Sequence, residues 1–464
     1  MSPFRHCPWQ RTPRYRLRMS EAAEDVLELA PFRGLRYASQ DARALIDSPD
    51  LDLALALAPP YDVVDAGTVS ALIRAEPHNA VRLTLPPAAE PPTGLSGPDR
   101  YRRAAGTLRR WIDEGVLVRD AEASLYVYEQ TGTAGVRQRG LIGALRLPPP
   151  GSGTVRAHEE VFDVPVADRA RLMAETRANL EPIFLLYQGG TGAARGAAAT
   201  AATAPRQDEP LVDTLTGDGT RHRLWAITDP AQHSAVSADL ATRTAMIADG
   251  HHRYAAYQRL RAAHPKEPSW GYGLALLVDS DSSPPCLGAI HRVFTGLDAA
   301  DAARAAAAHA RVDDLTGVPV EEAAARLERA ARRGPSLLLA DARRGFLVRE
   351  VDPAPLAAAL PERSEEWRAL HTAALIHLFL PLWGLRDEDA LLVHDDAEEA
   401  AAAAEPGRRT AVILPPLDVE DVYAVTARNE LTPRKSTSFG PKPRTGLVLR
   451  ALDPADPFNS DGKR

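Results

Sequence analysis

The chain of 464 residues has two cysteines, Cys7 and Cys286, which excludes a disulfide framework and a four-thiolate zinc site. Aromatic residues are sparse at 6%, and Ala-rich stretches supply much of the 45% apolar content. No run is long enough to span a membrane. The most apolar stretch, residues 373–385, is broken by His377 and Pro381 and falls short of roughly 18 residues. There is no basic excess either: 55 Lys and Arg stand against 62 Asp and Glu, a net charge of -7, which argues against a dedicated nucleic-acid binder. GxxxxGK[ST], GxSxG and CxxC are absent, so P-loop, α/β-hydrolase and thioredoxin-like chemistry lack their signatures. His158-Glu159 begins a metalloprotease-like pattern, but Phe162 stands where the second His belongs. Gly190-Thr191-Gly192 begins a dinucleotide loop, but Arg195 replaces the third Gly. Scarce cysteine and the lack of a signal peptide point to a cytoplasmic protein.

The remaining composition is that of a globular chain, and its punctuation suggests an order. Residues 1–29 are expected to be a disordered extension, Arg-rich and free of acids over the first 18 residues, with Met19 as an alternative initiator. Residues 20–29 are acidic and helix-compatible. A core over 30–297 contains a helix at 67–75, a strand at 80–85 and a helix at 101–114, the last marked by an apolar stripe that Gly115 ends. Residues 124–130 and 138–147 read as a β-hairpin. The Gly/Ala/Thr-rich segment 189–210 reads as a surface linker or insertion. Residues 298–450 alternate Ala-rich helices with strands and carry a basic loop at 432–443, and 451–464 form a tail. His371 and His377 on the apolar helix around 370–380 read as core or interface histidines. Mixed alternation of this kind predicts an α+β (mixed α/β) fold.

Ionisable groups crowd most densely at Asp249-Gly250-His251-His252-Arg253, where a β-prone run meets a helix-compatible one. A helix N-terminus there exposes unpaired N–H groups and the positive end of a dipole, a natural seat for phosphate. Gly250 permits close backbone approach, and Arg253 offers a planar fork for phosphate oxygens. Asp249 is suited to hold Mg²⁺ or accept a proton, and His251 and His252 to donate to phosphate or shuttle protons. A capped helix start with Arg on the surface is the alternative reading. Around His158-Glu159 and Asp168-Arg169 the choice lies between a polar site and a solvated helical face. In the 432–443 loop, Lys435, Ser436 and Thr437 suit an anionic ligand, and an ordinary surface loop is the alternative.

Together with Pro59-Pro60-Tyr61-Asp62-Val63-Val64, Tyr126-Val127-Tyr128, Pro182-Ile183-Phe184, His291-Arg292 and the stretch from Pro433 to Lys442, these motifs make residues 30–449 resemble a widespread bacterial and archaeal family of unknown function. The turn at 249–253 also resembles the ligand loop of the ParB/sulfiredoxin superfamily, in particular its free-serine kinases, over residues 244–263. That resemblance implies a ParB/sulfiredoxin-like nucleotide-binding core, elaborated by extra strands and an Ala-rich helical C-terminal part. It implies phosphate-binding roles for Gly250, His251, His252 and Arg253, and a metal or base role for Asp249. His158 is expected beside them. An acid near the acceptor hydroxyl is also implied, with Glu159 and Asp62 as candidates.

The leading expectation is thus a nucleotide-dependent kinase that uses ATP or ADP with Mg²⁺ and acts on a small hydroxyl-bearing, serine-like metabolite. The alternatives are a non-catalytic nucleotide- or metabolite-binding regulator and, less favoured, a DNA-associated ParB-like protein. Oligomeric state is left open.

Overall fold

A computed structural model describes residues 25–39, 51–86, 98–133, 135 and 137–452. Statements about the structure refer to these residues. The fold is mixed α/β, as the alternation predicts. Its largest element is a nine-stranded sheet. In chain order the strands are β1 (Leu29–Ala30), β2 (Leu125–Thr131), β3 (Arg137–Arg146), β4 (Val155–Arg156), β5 (Ile183–Tyr187), β6 (Val212–Leu215), β7 (Arg221–Ile227), β8 (Ala245–Asp249) and β9 (Tyr272–Asp279). They lie side by side as β4-β8-β5-β9-β3-β2-β7-β6, with β1 paired to the end of β3. The β4–β8 and β5–β9 pairs are parallel and the other pairs antiparallel.

Both faces of this sheet are covered, which is why β5 and β9 are continuous apolar runs rather than alternating ones. Tyr126, Ile142, Phe184 and Leu276 face one core; Leu125, Leu141, Leu185 and Leu277 face the other. A second, all-antiparallel sheet has six strands in the order Arg311–Asp314, Gly345–Arg349, Leu337–Ala340, Arg409–Ile413, Ile290–Thr295 and Leu391–His394. It too is packed on both faces, Leu337 and Leu339 on one side and Leu338 and Ala340 on the other. Residues 432–452 then return to the first sheet. Leu447, Val448 and Leu449 join its core, Leu449 bridges Leu35, and Arg450–Ala451 pairs with Ala178–Asn179. The two sheets therefore exchange chain on both sides of position 298.

Four local expectations differ from the structure. The stretch expected as a strand at 80–85 is a helical turn, Val81–Thr84, with the Asn79 side chain accepting from the Val81 N–H at 2.8 Å. A short apolar run has too little periodicity to separate the two. Within 189–210, Ala197–Thr203 is a helix whose Ala198 and Ala202 are buried in the core, because methyl side chains let it sit close against the sheet. Residues 25–29, grouped with the extension, are not helical, and Leu27 and Leu29 are buried. Residues 1–24, including Met19, and 453–464 of the tail lie outside the described residues. The π-helical turn Leu375–Phe379 interrupts the predicted apolar helix. No described helix is long and apolar enough to cross a membrane.

Four histidines are locked into this framework. The His291 ring accepts from the Leu414 N–H and the His371 ring from the Ser336 N–H, while His222 meets the Tyr128 hydroxyl at 2.9 Å. His158 lies between Ile247 and Thr437. Burial pushes each of the four down to about 4. Unfolded, each ring takes a proton near pH 6.5. The unfolded chain therefore binds more protons between pH 6.5 and 4, and stability falls as pH drops through that window. Urea unfolding at pH 7 and pH 4.5 checks this. The expected loss is on the order of 2 kcal/mol per histidine, and His371→Gln should flatten part of the slope.

Candidate functional site

Strand β8 is buried along its whole length and ends at Asp249. Gly250 follows with φ 91°, a left-handed conformation that an L side chain adopts only with strain. A Cβ there would also sit 3.0 Å from Ile183 Cγ2 and 3.1 Å from Arg253 Nε. The chain then enters the helix His251–Ala263, whose N-terminus no side chain caps. Its open first-turn N–H groups and positive dipole end adjoin a cleft of about 1030 Å³. The cleft is formed by the Tyr61–Asp65 segment, residues 159–160, the 249–253 turn, the strand pair Cys286–Gly288 and Ser438–Gly440, and the tip of Leu391–His394.

The site contains a chain of alternating charge. Lys442 lies 3.0 Å from Asp62 and 2.6 Å from Asp249, and Arg253 takes the other Asp249 oxygen at 2.6 Å. Burial works against the Lys442 charge, but Asp249 and Asp62 outweigh it and raise the ammonium above its usual range. Asp62 is held below the ordinary carboxylate range: burial opposes this, and Lys442 and Arg253 more than offset it. Arg253 is 2% exposed and also donates to the Pro182 carbonyl at 2.6 Å. Burial disfavours its charge, and Glu181, Asp249 and Asp62 restore it. The role expected for Arg253, a free fork for phosphate, is thereby corrected. Four residues along the chain from Asp249, it is directed back into the fold and fixes that carboxylate.

Asp249 likewise does not fit the expected role of metal ligand. Both its oxygens carry protein cations, and no group of three or more His, Cys, Asp or Glu among the described residues is placed to share an ion. Lys442 supplies the positive charge there instead. It was not singled out in the sequence. The available signal was its place between Pro441 and Pro443, where stiff flanking backbone presents one cation.

Glu159 borders the same cleft without a cation at ion-pair distance among the described residues. Burial raises its carboxyl, Asp249 adds to the rise, and nearby Lys435 and Lys442 only partly counter it. His252 is half-buried, stacked on Phe162 at 6.0 Å, and its Nε2 has no partner. Burial and Lys435 lower it and keep it neutral, although Asp62 and Asp249 pull the other way. Lys435 is exposed at the cleft edge. The remaining candidates serve the scaffold. His158 is 1% exposed, donating from Nδ1 to the Ile247 carbonyl at 2.6 Å while Nε2 accepts from Thr437 at 2.9 Å, so it is no cofactor ligand. His251 accepts from the His158 N–H at 3.4 Å, and burial keeps it neutral. Ser436 Oγ donates to the Pro433 carbonyl at 2.5 Å and closes its own turn. Asp62, Glu159, Asp249, Gly250, His252 and Lys435 thus meet at one cleft, while His158 and Ser436 stand behind its wall.

The chain belongs to the family described as "Protein of unknown function (DUF1015)", whose model matches residues 29–373. No curated protein matches it. Among solved structures it is similar to SbnI with C-terminal truncation from Staphylococcus aureus, at 10% identity over 67% of this chain and 87% of that one, TM-score 0.34. It is also similar to a free serine kinase in complex with AMP, at 14% identity over 63% and 88%, TM-score 0.32. A conserved hypothetical protein from Pyrococcus furiosus matches at 14% identity over 64% and 92%, TM-score 0.30. Superpositions this loose transfer no function, so the case rests on the side chains.

If Arg253 is structural, Arg253→Met should lower unfolding free energy by about 3 kcal/mol or more, because it leaves a buried carboxylate undercompensated. Chemical denaturation measures this. Wild-type stability combined with weakened ATP binding would instead make Arg253 a ligand group.

Proposed function

We propose that the cleft binds a nucleoside triphosphate and transfers its terminal phosphoryl group to a hydroxyl-bearing metabolite. The observation that carries this reading is the meeting of an uncapped helix N-terminus with two lysines and an elevated carboxyl, Glu159, in one cleft. Phosphoryl transfer depends chiefly on positioning and charge neutralisation. The first-turn N–H groups beyond Gly250 receive phosphate oxygens, and Lys435 and Lys442 offset their charge. His252 borders the phosphates, with its Nε2 buried beneath the cleft surface and without a protein partner. Asp62 and Asp249 hold Lys442 in place. Glu159 is the general base, since unlike Asp62 and Asp249 it has no ion pair to break, and its elevated pKa brings it nearer the optimum for proton transfer. No step is assigned to a metal held by Asp249.

One observation favours the second reading, a nucleotide- or metabolite-binding regulator: of the candidate acids Asp62, Asp249 and Glu159, two are already paired with protein cations. Turnover decides between them. Calorimetric titration should show ATP binding that Lys442→Met weakens about 10- to 100-fold, with adenosine unaffected. Glu159→Gln should leave ATP affinity within about threefold and cut turnover by about 10² or more. Wild-type turnover should rise with pH as Glu159 loses its proton, and that limb should vanish in Glu159→Gln. Equal turnover in both proteins would defeat the base assignment, and no turnover in the wild type with intact ATP binding would favour the regulator.

A further inference from the structure

The first turns of the helix His251–Ala263 have two working faces. Gly250, His252 and Arg253 border the charged cleft. His251, Tyr254, Ala255 and Gln258 follow the spacing of a single helical stripe and border a second pocket of about 520 Å³. The second pocket differs in chemistry. Its other walls are Pro149, Pro150, Val155, Val161, Ile247 and Leu431. Its few polar side chains are partly engaged with one another, since Gln258 donates to the Pro148 carbonyl at 2.9 Å and to the Tyr254 hydroxyl at 3.1 Å. Glu159, Glu160 and His251 border both cavities. Beside the mouth, Val161, Phe162 and Val164 are 43%, 42% and 80% exposed, an apolar cluster that monomer stability does not require.

We propose that this second pocket is the acceptor subsite and selects a hydroxyl compound with an apolar body. The body lies along Val155, Val161 and Ile247, and the hydroxyl emerges at Glu159, facing the phosphates on the other side. The inference rests on the phosphotransferase reading and narrows its substrate class: the carboxylate of a small zwitterion such as serine finds no Lys or Arg in this lining, whereas an alkyl chain finds apolar walls. The step balances. The hydroxyl oxygen bonds to the terminal phosphorus, the bridging P–O bond breaks to release the nucleoside diphosphate, and the hydroxyl proton passes to the Glu159 carboxylate. The volume falls within the usual range for small-molecule sites.

The experiment uses the full chain with ATP and a series of n-alkyl alcohols from four to ten carbons, with L-serine as comparison. Alcohol binding is followed by ligand-observed NMR and phosphorylated product by mass spectrometry. The expected result is binding that tightens about threefold or more per methylene, with product formed from the longer alcohols. Val161→Asp, at an exposed rim position that folding does not depend on, should weaken alcohol binding at least tenfold and leave ATP affinity within twofold. Ala255→Phe, which fills the pocket from the helix side, should do the same. Affinity independent of chain length, or indifferent to both substitutions, overturns the subsite. Phosphorylation of serine without any chain-length effect overturns it while sparing the phosphotransferase reading. Chain-length-dependent binding with no product from any compound sinks the phosphotransferase reading, and the acceptor role with it.

Discussion

The Lys442 ammonium between Asp62 and Asp249 is the contact on which the site depends. It joins three stretches of chain that meet only in the folded protein: the entry segment, the end of strand β8 and the returning C-terminal loop. Asp62 stays exposed, whereas Asp249 and Arg253 are largely removed from water and Lys442 partly so, and a charge buried there without a partner is costly. Arg253 extends the arrangement inward, so Asp249 sits between two cations and Lys442 between two anions. The network demands that the chain come back from the second sheet. The return is secured by the Gln130 amide donating to the Pro441 carbonyl, by Thr432 bonding the His158 carbonyl, and by Arg292 reaching the Arg434 carbonyl. Every group in such a ring needs the others in register, so it specifies one arrangement of the segments more than it adds net stability.

The histidines illustrate how position sorts one residue type into different work. His158 sits behind the cleft wall and His251 borders the cleft, the two rings edge to face at 4.5 Å; the Ile247 carbonyl and the Thr437 hydroxyl engage the His158 nitrogens, and His251 Nε2 accepts from the His158 N–H. Their neutrality is a condition of the packing. His252, one residue further along the same helix, stacks on Phe162 at the cleft, with its Nε2 buried and unpartnered. One step around a helix of 3.6 residues per turn is about 100°, enough to give neighbouring rings different surroundings.

Much of this was legible in the sequence, and the failures have a common cause. The 249–253 turn declared itself because a positive-φ glycine between a β-prone run and a helix is a local signal, and the turn does border the cleft. Glu159, Asp62 and Lys435 were also placed there, on resemblance and on composition. What could not be read was direction. Arg253 is drawn inward by the Pro182 carbonyl, distant in sequence, and Ser436 closes its own turn on Pro433, a local contact that composition alone does not separate from a ligand contact. Lys442 was hidden for the complementary reason: its partners lie at positions 62 and 249, and no local pattern carries a pairing over that distance. The helix Ala197–Thr203 was misread from composition, since alanine serves a buried helix as well as a loose linker.

Asp62, Asp249 and Glu159, three of the carboxylates that line the cleft, show how environment divides roles that residue type leaves equal. Asp249 has both oxygens occupied by cations, so accepting a proton would mean giving up an ion pair in a poorly hydrated place. Asp62 is held in its charged form by the same lysine. Only Glu159 is pushed in the other direction, by burial and by the neighbouring negative charge of Asp249, toward taking up a proton. The aspartates therefore act on Glu159 at a distance: by fixing Lys442 they keep positive charge in the cleft, and Asp249 adds a repulsion that raises the Glu159 carboxyl. The proposed base thus has a charged cavity on one side and a largely apolar one on the other, and Glu159 stands at the boundary between them.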